Sequence, residues 1–186
     1  MKLILSKIKT YFGKLDKLLL FMCMGIACFA VFIQYTLYEN DISSAVTASQ
    51  YKTQIIAFIA GIVIAMALAA INYKYLAKLW FIYVPLAMGL TLLLFTPLGI
   101  QREGADDIGW LDLGIMTIQP SEILKLAFIL SLAVHLSKVE DRMNEPIHFI
   151  LLCIHGAIPT LLIRQTGDDG SALVFLFIFI CMMFAA

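Results

Sequence analysis

Six apolar runs, residues 18–38, 54–71, 79–98, 121–136, 147–163 and 171–186, alternate with short polar stretches along the chain. An α-helix rises 1.5 Å per residue, so about 20 apolar residues cross a hydrocarbon core of about 30 Å. The pattern predicts an all-α, polytopic membrane helix bundle. Ahead of the first run, residues 1–17 mix Lys2, Lys7, Lys9, Lys14 and Lys17 with Leu3, Ile4, Ile8, Tyr11 and Phe12. That mixture suits a short interfacial helix on anionic lipid. Residues 39–52 read as a polar loop, and Gly61 with nearby alanines lets a neighbouring helix approach the second run closely. Pro85 lies in the third run, while Gly156 and Pro159 should bend the fifth. The last run has only about the minimum length of a span and no polar stop, so truncation at the C-terminus is expected.

Charge then orients the bundle. Of the thirteen Lys and Arg, nine fall in the N-terminal segment, at 74–78 and at 138–142, three in the alternate loops, and Lys125 within a run. The bias places the N-terminus in the cytoplasm. Eight of the thirteen acids fall on the other side, which makes the outer surface acidic. Net charge is zero, and the lysines belong to membrane boundaries, so membrane lipid and not nucleic acid is the expected large partner. No small-residue cleavage site follows the first run closely, so that span is expected to stay. Cys23, Cys28, Cys153 and Cys181 sit unpaired in apolar runs and read as packing residues. His135, His148 and His155 are spread apart in sequence, so each is expected to be a hydrogen-bonded structural residue and not a metal ligand.

The connection 101–117 carries Arg102, Glu103, Asp106, Asp107 and Asp112 among Gly104, Gly109 and Gly114, yet Trp110, Leu111, Leu113, Ile115 and Met116 are too apolar for a freely solvated loop. It is expected to lie on the membrane surface with Trp110 at headgroup depth. Pro120 then suits the first helical position, Glu122 meets the positive helix end, and Lys125 shares its face three residues on. Glu122 and Lys125 are expected to pair. The plain reading is a helix start with a snorkelling lysine; the functional one is a polar cavity open to the outer face. A second polar turn, Arg164 to Gly170, carries Asp168 and Asp169 ahead of Ser171, where helix capping is the plain alternative. By the topology both clusters face one compartment.

WLDLGIMTIQPSEILKLA, Trp110 to Ala127, is similar to the RW-x-x-LG and QPSE-x-x-K signature of the SEDS family (shape, elongation, division and sporulation; RodA, FtsW and SpoVE). Gln165 with Asp168, Gly170, Ser171 and Ala172 resembles that family's QPDLGTA, and Asn72-Tyr73 its Asp-Tyr. Two departures stand out: Gly109 occupies the position of the arginine before Trp110, and the second motif lacks its proline and has one extra residue. The resemblance implies a peptidoglycan glycosyltransferase of the bacterial cytoplasmic membrane with about ten spans, of which about six are visible here. It would polymerise lipid II, the undecaprenyl-pyrophosphate-linked precursor, on the outer face beside a class B penicillin-binding protein transpeptidase. The family's catalytic aspartate is expected beyond residue 186, leaving this chain alone without activity. Glu122, Lys125 and Asp168 become supporting candidates, and Trp110, Gln119, Ser121, Glu122, Lys125, Gln165 and Asp168 the substrate-binding set. No metal ligand is assigned; a divalent cation at Asp168 stays open. A precursor flippase and a non-catalytic scaffold or inactive fragment remain the alternatives.

Overall fold

The computed structural model describes residues 16–40, 48–71, 73–102, 104, 106–114, 117–143 and 145–186. The proposed interfacial helix before residue 16 and most of the first polar loop lie outside them. The chain divides into two units, Met1–Asn72 and Tyr73–Ala186.

In the first unit α1, Lys17–Glu39, begins where the Asp16 carboxylate accepts the Leu19 N–H at 3.0 Å, satisfying a donor that the helix start would otherwise leave unpaired. Its partner is α2, Ala48–Ala70. The two meet at Tyr51, whose ring lies parallel to that of Tyr38 at 6.2 Å and tilted against Tyr35 at 5.7 Å. Large apolar side chains such as Phe21, Phe29, Ile56 and Ile64 point outward, the pattern of helices bathed in lipid.

In the second unit α3, Tyr73–Lys78, leads into α4, Trp80–Leu92, which tightens into a 3₁₀ turn, Leu93–Phe95. The helix therefore stops short of residue 98, where the hydrophobic run ends. Thr96 is extended and its hydroxyl donates to the Leu93 carbonyl at 2.6 Å, so the chain leaves the helix just ahead of Pro97, which could not continue it. It enters a small antiparallel sheet, β1 Gly99–Ile100, β2 Trp110–Asp112 and β3 Thr117–Ile118, in the order β1-β2-β3. This small sheet takes the place of the loop expected over 101–117, while the architecture is helical as predicted. Leu111 pairs with Gly99 on one side and Ile118 on the other and is fully buried, while Asp112 is exposed. The same alternation that made the stretch too apolar for a loop places one face inward.

Helix α5, Pro120–Val139, packs against α4, against α6, Pro146–Gln165, and against α7, Asp169–Ala185. Its buried residues include Ser121, Leu124, Ala127, Phe128, Ser131 and Leu132, spaced three and four apart so that one stripe faces the core. Phe175 from α7 meets Phe128 with ring centroids 5.5 Å apart. At Gly156 the α6 backbone lies so close to α7 that a Cβ would overlap the Phe179 ring. Lys17–Glu39, Gln50–Ala70 and Pro146–Gln165 are each long and apolar enough to cross a membrane, and Trp80–Phe95 and Asp169–Ala185 are shorter apolar helices.

Phe175→Ala removes a fully buried ring from the junction of α5 and α7 and is expected to destabilise the bundle by about 3–5 kcal/mol. Gly156→Leu should also lower stability, by about 1–3 kcal/mol, through overpacking against Phe179. The thermal midpoint of the full-length protein in detergent measures both.

Candidate functional site

The sheet gathers the polar residues at one end of the second unit. Trp110 opens β2 half-buried, with the Arg102 guanidinium 3.5 Å from its ring centroid, within cation–π range. The strands hand the chain directly to Gln119, the N-cap position of α5, with Pro120 at its first turn. Ser121 is only 3% exposed, and its buried hydroxyl oxygen has no hydrogen-bond partner among the described residues. One turn on, the Lys125 ammonium lies 2.6 Å from Glu122 Oε1, so the pair expected from their spacing is present. The lysine side chain is 19% exposed and the carboxylate 60%, so the cation lies against the bundle and the acid caps it from the wetter side.

The second polar turn is joined to this one through the backbone. The Ile108 N–H donates to the Thr166 carbonyl at 2.9 Å, just before β2 and just after α6. The turn needs Gly167: its φ is +87°, and a Cβ there would approach Asp107 Cα to 3.3 Å. Asp168 Oδ1 accepts the Ser171 N–H at 2.7 Å, so one of its oxygens serves as the N-cap of α7. Asp169 and Arg164, both exposed, approach to 3.7 Å. Gln165 is exposed at the end of α6.

The structure thus brings the two sequence clusters to one end of the bundle, while Glu122–Lys125 and Asp168 each bond within their own helix. Sequence reasoning missed the segment Asp107–Ile108–Gly109, which connects them. A side chain at Gly109 would overlap the Asp107 carboxylate, and its Cβ would stand 3.8 Å from the Gln119 amide nitrogen. Glycine in place of an arginine before Trp110 was the available signal. Among the described residues, no three His, Cys, Asp or Glu side chains form a group suited to a metal ion.

The histidines need a correction. His135 and His155, twenty residues apart, face each other across α5 and α6 with Nδ1 atoms 3.1 Å apart, and His155 Nε2 lies 3.0 Å from the Ser131 hydroxyl. They are hydrogen-bonded, as expected, but also clustered. Separation in sequence hid a contact that antiparallel helices create.

Comparison with known proteins places the chain among its relatives. The chain is 32% identical over 184 residues to a probable peptidoglycan glycosyltransferase FtsW of Geobacter sp. (strain M18), covering 92% of this chain and 47% of that one. It is 29% identical to the peptidoglycan glycosyltransferase RodA of Treponema pallidum, covering 92% of this chain and 38% of that relative. The chain therefore spans less than half the length of these curated relatives. The crystal structure of the rod shape determining protein RodA of Thermus thermophilus superposes with a TM-score of 0.61 at 23% identity, over 83% of this chain and 52% of that one. A structure described as the structural coordination of polymerization and crosslinking by a peptidoglycan synthase complex superposes at 0.68, also at 23% identity, over 86% of this chain and 45% of that one. The family model described as cell cycle protein, for FtsW, RodA and SpoVE, matches residues 14–186. With its paired charges at the start of α5, its helical membrane fold and this match over nearly its whole length, the chain belongs to the FtsW, RodA and SpoVE family.

Proposed function

We propose that this chain supplies the N-terminal half of a peptidoglycan glycosyltransferase that polymerises lipid II at the outer face of the bacterial cytoplasmic membrane. Its N-terminus would lie in the cytoplasm and the sheet end of the second unit outside, as the lysine distribution supports. The observation that carries the reading is the Lys125–Glu122 pair at the start of α5, which follows directly on the sheet whose central strand begins with Trp110.

Polymerisation requires a base to take the proton of an acceptor sugar hydroxyl while the anomeric carbon of the donor loses pyrophosphate. The departing oxygens gain negative charge, and a cation already held in place stabilises that charge without reorganising. Lys125 would have that role, with its side chain largely covered and its ammonium held by Glu122. Trp110 and Gln119 would line the approach, Ser121 would support the start of α5, and Gln165 and Asp168 would border the site from the second turn. The general base would come from the aspartate that the family resemblance places beyond residue 186. A class B penicillin-binding protein would be the crosslinking partner.

Lys125→Met in the full-length protein should lower glycan formation from lipid II by roughly a hundredfold, the scale for losing one charge-stabilising group, with membrane insertion unchanged. Gel analysis of glycan strands made in detergent reads this out, and unchanged output would refute the role. Glu122→Gln keeps the cation but loosens it, so its loss should be smaller. A lipid transporter would make no strands in detergent, where no second compartment exists, and a scaffold would tolerate both substitutions.

A further inference from the structure

At the end of the bundle opposite the sheet, a cavity of about 230 Å³ is lined by Trp80 from α4, by Ser131, Val134, His135 and Lys138 from α5, and by His155 from α6. Ser131 and His155 also line a second, almost wholly apolar cavity of about 300 Å³, walled by Val84, Met88, Leu124, Phe128 and Ile158 among others. A chamber that carries a lysine, two imidazoles and a hydroxyl thus adjoins one that is almost wholly apolar. The second reaches the lower bound of ligand pockets, about 300 Å³.

The lysine-bearing chamber has a defined hydrogen-bonding character. The Ser131 hydroxyl donates to the Phe128 carbonyl at 3.1 Å, so toward His155 Nε2 it acts as acceptor and that nitrogen carries the proton. Neutral His155 then offers a lone pair at Nδ1, which takes the Nδ1 proton of His135. Neutral His135 in turn keeps Nε2 as an acceptor. The charged wall is Lys138, whose ammonium stands 5.6 Å over the Trp80 ring. Among the described residues Lys138 has no carboxylate partner within ion-pair distance. The acids nearby in sequence are Glu140 and Asp141, which begin the next turn, and Glu145, which lies 3.4 Å from His148.

A cation, a hydrogen-bond acceptor and an indole at a membrane boundary, opening beside an apolar chamber, match an amphiphile with an anionic, hydroxyl-bearing head. We propose that this end of the second unit binds an acidic phospholipid of the phosphatidylglycerol type. Its phosphate meets Lys138, a head-group hydroxyl donates to His135, and one acyl chain enters the apolar cavity. The site is separate from the polymerisation site and stands whether or not that reading holds.

The test uses the full-length protein, solubilised from vesicles of equal parts phosphatidylglycerol and phosphatidylcholine, with co-purified lipid quantified by mass spectrometry. Wild type should retain phosphatidylglycerol in preference. Lys138→Gln should lower that retention about fivefold, the scale for one lysine at an anionic surface. Lys138→Arg should keep it, and Lys78→Gln, at the same end but outside the cavity, should leave it unchanged. Equal retention of the two lipids by wild type overturns the proposal, as does recovery of no lipid, which would mean that the rest of the protein fills the cavity. An equal loss in Lys78→Gln also overturns it, because general surface attraction would then explain the binding.

Discussion

An ammonium group drawn against an apolar bundle is costly unless a counter-charge is held within reach, and the start of α5 meets that requirement. Lys125 lies against the bundle with Glu122 one turn earlier on its wetter side, 2.6 Å away. The pair needs residues 122 to 125 to be helical, so that side chains three apart share a face. Pro120 sets the helix start, and the sheet delivers the chain to it in a fixed direction. The rest of the second unit follows, because α5 contributes the apolar stripe on which α4, α6 and α7 pack.

The apolar helices, the helix start at Pro120 and the Glu122–Lys125 contact were legible because each depends on neighbours within four residues or on a run of one character. The Asp168 cap was legible for the same reason: an aspartate followed by Gly170 and Ser171 signals a helix start without any tertiary knowledge. The sheet was half-legible. Its apolar residues were visibly out of place in a loop, but pairing Leu111 with both Gly99 and Ile118 is a choice between segments that local pattern does not rank. The Ile108 to Thr166 bond and the His135 to His155 contact were invisible, since they join residues brought together only when helices pack.

The departures from the family signature have physical sense in this fold. Gly109 replaces an arginine at a point where any side chain would meet the Asp107 carboxylate, and an arginine instead reaches Trp110 from Arg102, across the sheet strand. The altered second motif ends α6 with Thr166 and Gly167 in place of a proline. Thr166 is buried, its carbonyl receives Ile108, and the positive φ of Gly167 lets Asp107 come close. The two departures lie on either side of one contact, the Ile108 to Thr166 bond.

That contact has a mechanical meaning. The Ile108 to Thr166 bond joins the strand that leads into α5 to the corner where α6 turns into α7, which makes the rim a closed ring of backbone. At the opposite end α5 passes into α6 through the turn Glu140–Arg142, where the Glu145 N–H donates to the Arg142 carbonyl at 3.0 Å, and the His135 and His155 imidazoles meet between the two helices. α5 and α6 are therefore tied at both ends, the way a rung at top and bottom keeps the rails of a ladder from spreading.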